Sequence, residues 1–204
     1  GDLDLWLAND GDRIQVYRND SLRGEPRFTP VTDATNFGKV GNWMGFAVGD
    51  YNGDSDLDVF VTNVGYHLRL GEPQEEPGGD CKYQERFEWG SCLHALLRNE
   101  GTREVPNLGT VPVFREVAPF TEVSPSPYMP PTSLSLEVFH SAWQVPTGLA
   151  AYDFGYGTTF FDFDNDGAQD LYWLGSEIAR GAGPGGYVYP SAGRMLRGDG
   201  LGSF

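Results

Sequence analysis

The sequence is short of positive charge, of long apolar runs, and of histidine and cysteine. Lysine and arginine number 14 against 29 acidic residues, so the formal net charge is −15. That balance argues against nucleic acid or an anionic membrane surface as a partner. No run of 18 apolar residues occurs, so no membrane span is expected. The three histidines (His67, His94 and His140) stand alone in sequence, and we interpret each as a surface or hydrogen-bonded structural residue.

A cluster of acidic residues spans 162–170. Counting Asp162 as position 1, carboxylates occupy positions 1, 3, 5 and 9, and Gly167 at position 6 allows a tight turn. Two such charges about 4 Å apart repel by roughly 4 kcal/mol near a protein surface. The next cation in sequence is Arg180, so nothing basic is expected nearby. Because Ca²⁺ takes 6–8 oxygen ligands, the spacing predicts a calcium loop. The alternative is a solvated acidic turn.

The residues on both sides of this loop predict strands rather than helices. An EF-hand would need a glutamate at position 12, where Trp173 stands. Residues 157–161 and 171–174 are instead rich in β-branched and aromatic side chains, which is typical of strands. The loop is therefore predicted to join two strands.

The same acidic spacing recurs along the chain. Asp50, Asn52, Asp54 and Asp58 supply positions 1, 3, 5 and 9 of a second loop. At the start, Asp2 and Asp4 match the second half of such a loop, with Asp4 at position 9. Position 9 recurs after 54 and then 112 residues, close to one and two repeats, and periods of this order indicate propellers or arrays.

A second element repeats in phase with the loops. Each loop is followed by an apolar–Arg–Asn/Gly–acid segment, at residues 16–20, 96–101 and 195–200, which leads to Phe28, Phe114 and Phe204. This chemistry predicts a hairpin turn at each segment. Each unit then contains four antiparallel strands, the size of a propeller blade.

These features resemble the FG-GAP/VCBS repeats of integrin α-like propellers, of the ASPIC/UnbV and cartilage acidic protein type. The resemblance is carried by Phe37-Gly38, by the segments 44–63 and 156–174, and by the Arg-Asn/Gly-acid segments. It implies that side chains at positions 1, 3, 5 and 9 and the carbonyl at position 7 hold Ca²⁺. The implied ligands are Asp50, Asn52, Asp54, Asp56 (carbonyl) and Asp58, and Asp162, Asp164, Asp166, Ala168 (carbonyl) and Asp170. Because Ser55 replaces the usual glycine and Asn52 carries no charge, the 50–58 loop is expected to bind more weakly.

The predicted fold is all-β, one partial β-propeller over 1–204 with about three blades at 1–35, 36–118 and 149–204. Insertions are predicted at 65–92, 119–148 and 176–193, where proline and glycine are frequent. Propellers close with about 4–8 blades, so this one is expected to be incomplete. The remaining blades would come from missing sequence or from another chain.

Cys81 and Cys92, the only two cysteines, close the first insertion. We expect a disulfide between them, which an oxidising compartment would permit; the alternative is a pair of reduced thiols. A zinc site is disfavoured because His94 is the only imidazole near them. The expected location is therefore extracellular, or periplasmic or cell-surface in a bacterium.

The expected function is a secreted calcium-binding propeller that serves in adhesion or ligand binding. At least two structural Ca²⁺ sites are expected, with a third, partial one at the N-terminus, and the insertions would contact a protein or glycan. The alternative is an extracellular enzyme, for instance a carbohydrate-active one, or an accessory domain of one. Its candidate acids would be Asp80, Glu85, Glu88, Glu137, Asp153 and Glu177.

Overall fold

The computed structural model describes residues 3–63, 94–118, 155–175, 177–180, 187–190 and 193–204. For 177–180 and 187–190 only the backbone is described. Most of the three predicted insertions lies outside these ranges, as do both cysteines and Asp2. The disulfide and the domain boundaries therefore stay predictions.

The described residues are almost entirely β-structure. The elements in chain order are β1 (Leu5–Leu7), β2 (Asp10–Arg13), β3 (Gln15–Asn19), β4 (Phe28–Pro30), a 3-10 helix (Thr32–Ala34), β5 (Val40–Gly49), β6 (Asp58–Asn63), β7 (Ala95–Val105), β8 (Gly109–Glu116), β9 (Gly155–Phe161), β10 (Asp170–Gly175), β11 (Glu177–Arg180), β12 (Tyr187–Pro190) and β13 (Arg194–Leu196).

Three antiparallel sheets and one strand pair contain these elements. The first sheet has the order β1-β3-β4, the central sheet β2-β5-β6-β7-β8, and the third sheet β13-β10-β9. Strands β11 and β12 pair with each other. No closed barrel is found in the described ranges, and the all-β fold, consistent with an incomplete propeller, is confirmed. The predicted order of strand, loop, strand, strand, strand is complete in the central sheet as β5 to β8, and β2 adds a fifth strand beside β5.

The central sheet is covered on both faces, and β6 shows this most clearly. All six residues of β6 are buried, as its continuous apolar sequence predicts. Val59 and Val61 belong to an apolar cluster that includes Val16 of the first sheet. Phe60, on the opposite face, belongs to a second cluster that includes Trp173 of the third sheet. Each such side chain contributes about 1.5–3 kcal/mol by leaving water.

The three sheets have residues at equivalent positions, and their burial can be compared. Asp4, Asp58 and Asp170 each come just before the apolar run of a strand, and Val59 of β6 corresponds to Leu171 of β10. Leu171 is buried against the central sheet, as Val59 is against the first sheet. The matching residue of β1 is Leu5, which is 42% exposed. A face that is buried in two sheets is thus open in the first.

We name two end faces from this comparison. The end face of the first sheet comprises Leu5, Leu7 and Phe28, and that of the third sheet comprises Phe161, Leu174 and Met195; all six side chains are between 37% and 51% exposed. Alternation along β10 places Leu174 on the side opposite Leu171 and Trp173, which face the central sheet.

The predicted hairpin turn at residues 96–101 is wrong. Strand β7 continues through this segment to Val105, with a register shift between Asn99 and Thr102. Gly101 has φ 86°, so the segment forms a bulge, because a glycine with positive φ absorbs one extra residue without ending the strand. The turn lies further on, where Asn107 has φ 66°.

The third predicted insertion, 176–193, is not only a loop. Strands β11 and β12 lie within it and pair antiparallel, with Glu177 opposite Pro190. Its many glycines favoured a loop, whereas Tyr187, Val188 and Tyr189 have the β propensity that this strand uses.

Candidate metal centre

The two acidic loops have the same hydrogen-bonded frame. In the loop at 50–58, Asp50 accepts the amides of Asp54 (3.1 Å) and Ser55 (2.9 Å). In the loop at 162–170, Asp162 accepts the amides of the two equivalent residues at 3.1 and 3.0 Å. The position-5 carboxylate accepts the position-7 amide at 2.9 Å in both. Each loop is therefore wound around its first carboxylate.

Two left-handed residues give both loops this shape. Positions 4 and 6 have positive φ in each: Gly53 (74°) and Ser55 (73°) in one, Asn165 (60°) and Gly167 (91°) in the other. Glycine adopts this conformation readily and asparagine is tolerated there. Ser55 therefore departs from the motif in residue type but not in backbone conformation.

The wound loops bring carboxylates together. Oxygen atoms of Asp50, Asp54 and Asp58 all lie within 4.8 Å of one another, and the same holds for Asp162, Asp164 and Asp166. The first cluster thus gathers positions 1, 5 and 9, and the second positions 1, 3 and 5. Both clusters could hold a metal ion.

Asp58 is the carboxylate of the first cluster whose ionised form burial disfavours most clearly. It is fully buried, and its Oδ1 accepts the amide of Asn99 at 2.8 Å. Its Oδ2 is also buried and makes no hydrogen bond, although the Tyr51 amide lies close enough to lower the pKa of the carboxyl. Burial outweighs both amides and raises the pKa of Asp58 to about 6. An ionised Asp58 therefore needs a positive partner.

The position-9 carboxylates connect the loops to the Arg-Asn/Gly-acid segments. Asp4 accepts the amide of Asn19, Asp58 that of Asn99, and Asp170 that of Gly198, each at 2.8 Å. The sequence showed both elements repeating in phase but not this contact. Insertions between the paired residues make their separations differ, so no constant spacing reveals the link.

The expectation that no cation lies near the 162–170 loop is wrong. Arg197 reaches Asp164 Oδ2 through Nε at 2.8 Å and Asp166 Oδ2 through a terminal nitrogen at 2.6 Å. The amide of Ala168 and, after it, Arg197 hold the pKa of Asp166 below its usual value. Strand pairing of β13 with β10 brings Arg197 close, although it lies 27 residues after Asp170.

Other predicted residues fall on both sides of the described boundary. His94 is buried, and its Nδ1 accepts the Asn63 amide at 2.9 Å, which confirms a structural histidine. His67 and His140 lie outside the described residues. The same holds for the side chains of all six candidate catalytic acids: Asp80, Glu85, Glu88, Glu137, Asp153 and Glu177.

Comparison with protein families supports the repeat. Residues 1–61 match the model of the FG-GAP-like repeat, a range that contains Asp4 and the whole 50–58 loop. No curated protein matches the chain. FG-GAP-like repeats suggest a domain of the β-propeller type, are generally binding or scaffold units rather than enzymes, and are typically extracellular. Among the described residues no helix could cross a membrane.

Proposed function

We propose that this chain is a secreted, calcium-binding FG-GAP/VCBS-type propeller that serves as a scaffold for adhesion or ligand binding. The single observation that carries the proposal is the identical frame of two acidic loops, one of which holds a buried carboxylate oxygen without a hydrogen-bond partner. An acidic turn that binds no metal would gain nothing from burying a carboxylate oxygen without a hydrogen bond, because such burial is unfavourable. The extracellular setting usual for these repeats supports the location.

The residues present fit calcium. Each loop offers hard oxygen atoms only, and Asp58 Oδ2 supplies one that is already stripped of water. The ligands in the first site would be Asp50, Asn52, Asp54, Asp58 and the carbonyl of Asp56. Those in the second would be Asp162, Asp164, Asp166, Asp170 and the carbonyl of Ala168. A third, partial site would use Asp4 together with Asp2.

The role of calcium in this proposal is structural. The ion would neutralise the clustered carboxylates, including the buried one. The chain's own residues do the rest: position 1 winds the loop, and position 9 binds the next part of the same sheet through Asn99 or Gly198. Fixing one acidic loop therefore fixes three strands of its sheet.

Recognition would lie in the insertions rather than in the metal loops. Long loops on a rigid scaffold are where binding residues concentrate, and the predicted insertions at 65–92 and 119–148 are the longest in the chain. A protein or glycan is the proposed partner. The partner's identity would emerge from binding of the whole chain to glycan and extracellular-protein arrays, with loss of the signal after deletion of 65–92 or 119–148.

A thermal melt tests the calcium proposal. Calcium at about 100 times its dissociation constant adds roughly 2.7 kcal/mol of stability per site. Since 1 kcal/mol corresponds to about 2–4 °C for a chain of this size, we expect a rise of at least 5 °C over the melting temperature in EGTA.

Two neighbouring acids provide a matched comparison. Asp54→Asn should reduce the calcium-dependent rise, because the position-5 carboxylate is a proposed ligand. Asp56→Asn removes one negative charge from the same loop but leaves the backbone carbonyl, which is the proposed ligand at this position. The calcium-dependent rise in melting temperature should therefore persist. Equal melting temperatures in calcium and EGTA for the unaltered chain would contradict the proposal.

A further inference from the structure

The three Arg-Asn/Gly-acid segments place their arginines differently. Arg18 bonds Asp20 at 2.7 Å, and Arg98 bonds Glu100 at 2.5 Å, so each pairs with the acid two residues later. Arg197 instead bonds Asp164 and Asp166 of the acidic loop. The third unit alone among these three turns its arginine onto the proposed metal ligands.

The local structure explains the difference. The acid two residues after Arg197 is Asp199, whose Oδ1 accepts the amides of Leu201 (2.7 Å) and Ser203 (2.9 Å). This carboxylate oxygen therefore holds the turn at residues 199–203 together. The pKa of Asp199 is lowered by these amides, which keeps it ionised in that role.

Gly198 brings the arginine close to the loop. A Cβ on Gly198 would lie 2.1 Å from the carbonyl oxygen of Gln169, so only glycine permits this approach. Asn99, at the equivalent position of the central sheet, instead donates through its side chain to the carbonyl of Leu57 at 3.2 Å. The segment that carries Arg197 therefore docks directly on the acidic loop.

The geometry points to Arg197 as a built-in competitor for calcium. We propose that its guanidinium neutralises Asp164 and Asp166 in the metal-free chain and must leave when a divalent cation binds at 162–170. The inference rests on the proposed function, because it concerns the same site. The guanidinium contacts Oδ2 of Asp164 at position 3 and Oδ2 of Asp166 at position 5. A divalent ion bound by the same carboxylates would lie next to the guanidinium, and the two positive charges would repel each other.

In the part of the chain that the structure describes, no arginine or lysine forms an ion pair with the proposed ligands of the 50–58 loop. Arg98 is bound to Glu100, and Asp54 Oδ2 is bonded by the neutral amide of Asn52 at 2.8 Å. Asp58 Oδ2 keeps its lone pairs unused. If Arg197 competes in this way, we expect the 50–58 loop to bind calcium more tightly than the 162–170 loop, the opposite of the order expected from Asn52 and Ser55.

Calcium titration calorimetry on the full chain tests the inference. Asp54→Asn is introduced throughout as a background that weakens the first loop, so that binding at 162–170 is resolved. Arg197→Gln should then tighten calcium binding by about 2–5-fold, since an exposed ion pair, even one with two contacts, is weak. Arg98→Gln, the matched control, should change it by less than twofold. Arg197→Lys keeps the charge but cannot contact both carboxylates at once, so its calcium affinity should lie between that of the Asp54→Asn background and that of Arg197→Gln.

A second readout does not depend on affinity. In nitrogen-15 spectra of the chain without substitutions, the Nε–H signal of Arg197 should move on calcium addition while that of Arg98 stays in place. Unchanged or weaker binding in Arg197→Gln, or an Arg197 signal that ignores bound calcium, would overturn the inference and leave the proposed function intact. A chain that binds no calcium in any form would overturn both.

Discussion

At the scale of single residues, most of the chemistry lies in acids whose surroundings differ. Asp58 is buried and Asp20 is partly buried, and both have shifted pKa values: burial raises that of Asp58 to about 6, and Arg18 lowers that of Asp20 to about 2. The sequence gives the same residue type in both places. Only the fold distinguishes an acid whose pKa is raised by burial from one whose pKa is lowered by an arginine.

Glu116 offers a test of this principle away from the metal loops. Its Oε1 accepts the amides of Leu96 (3.2 Å) and Ala118 (2.8 Å), and burial nevertheless raises its pKa to about 7. The folded state therefore holds the proton more tightly than the unfolded state, so stability falls as the pH rises from about 4.5 to about 7. Above pH 7 the full penalty applies.

We expect Glu116→Gln to stabilise the chain at pH 8 by about 1–3 kcal/mol, because glutamine keeps the accepting oxygen and carries no charge. At pH 4 the variant and the parent should melt together. The control is Glu25→Gln, which removes the same charge at an exposed position in the loop before β4 and should not stabilise the chain at pH 8. An equal gain for Glu116→Gln at both pH values would contradict the assignment.

At the scale of elements, local sequence patterns correctly predicted the strands next to the 162–170 loop. The turn that they predicted at 96–101 is wrong. Strands were expected at 157–161 and 171–174, and they are found at Gly155–Phe161 and Asp170–Gly175. Apolar β-forming residues decide such strands locally. The bulge at Gly101 was mistaken for a turn because the same residue types, with positive φ, build both features.

The docking of the Gly198 segment on the acidic loop could not be predicted, because it depends on a contact between residues far apart in sequence. Gly198→Ala tests its importance. The added methyl group would collide with the Gln169 carbonyl, which belongs to the backbone and cannot rotate away. We expect a loss of about 1–3 kcal/mol in urea denaturation.

The matched control for that variant is Gly157→Ala in β9, where a Cβ would meet only Leu174 Cδ1 at 3.7 Å, an ordinary contact. Its urea midpoint should stay close to that of the parent. If Gly198→Ala keeps the same midpoint as Gly157→Ala, the close approach of the segment to the loop does not matter for stability.

At the scale of the whole molecule, the repeat itself was predictable, since acidic spacing and apolar pattern recur together. The burial of the central sheet between its neighbours follows from the continuous apolar run of β6. The exposure of the end faces could not be predicted from sequence. Leu5 and Val59 have similar side chains, yet Leu5 is 42% exposed and Val59 only 5%.

The end faces lead to a prediction about association. In the sheet interfaces of this chain, equivalent faces are covered by another sheet of the same kind, so the chain alone should associate through them as concentration rises. Leu5→Lys together with Leu174→Lys should make it monomeric in sedimentation velocity runs. Leu22→Lys, at an exposed residue away from both end faces, should not. A parent chain that stays monomeric at high concentration would contradict the prediction.

The account as a whole depends on metal at the two wound loops. Crystals of the chain grown with calcium would test this most directly, through the anomalous signal of the ion. We predict one peak in each loop, about 2.3–2.6 Å from the carboxylate oxygens, with Asp58 Oδ2 among the ligands of the first. Loops that keep the same hydrogen-bonded frame in calcium while showing no peak, with water or nothing beside Asp58, would contradict it.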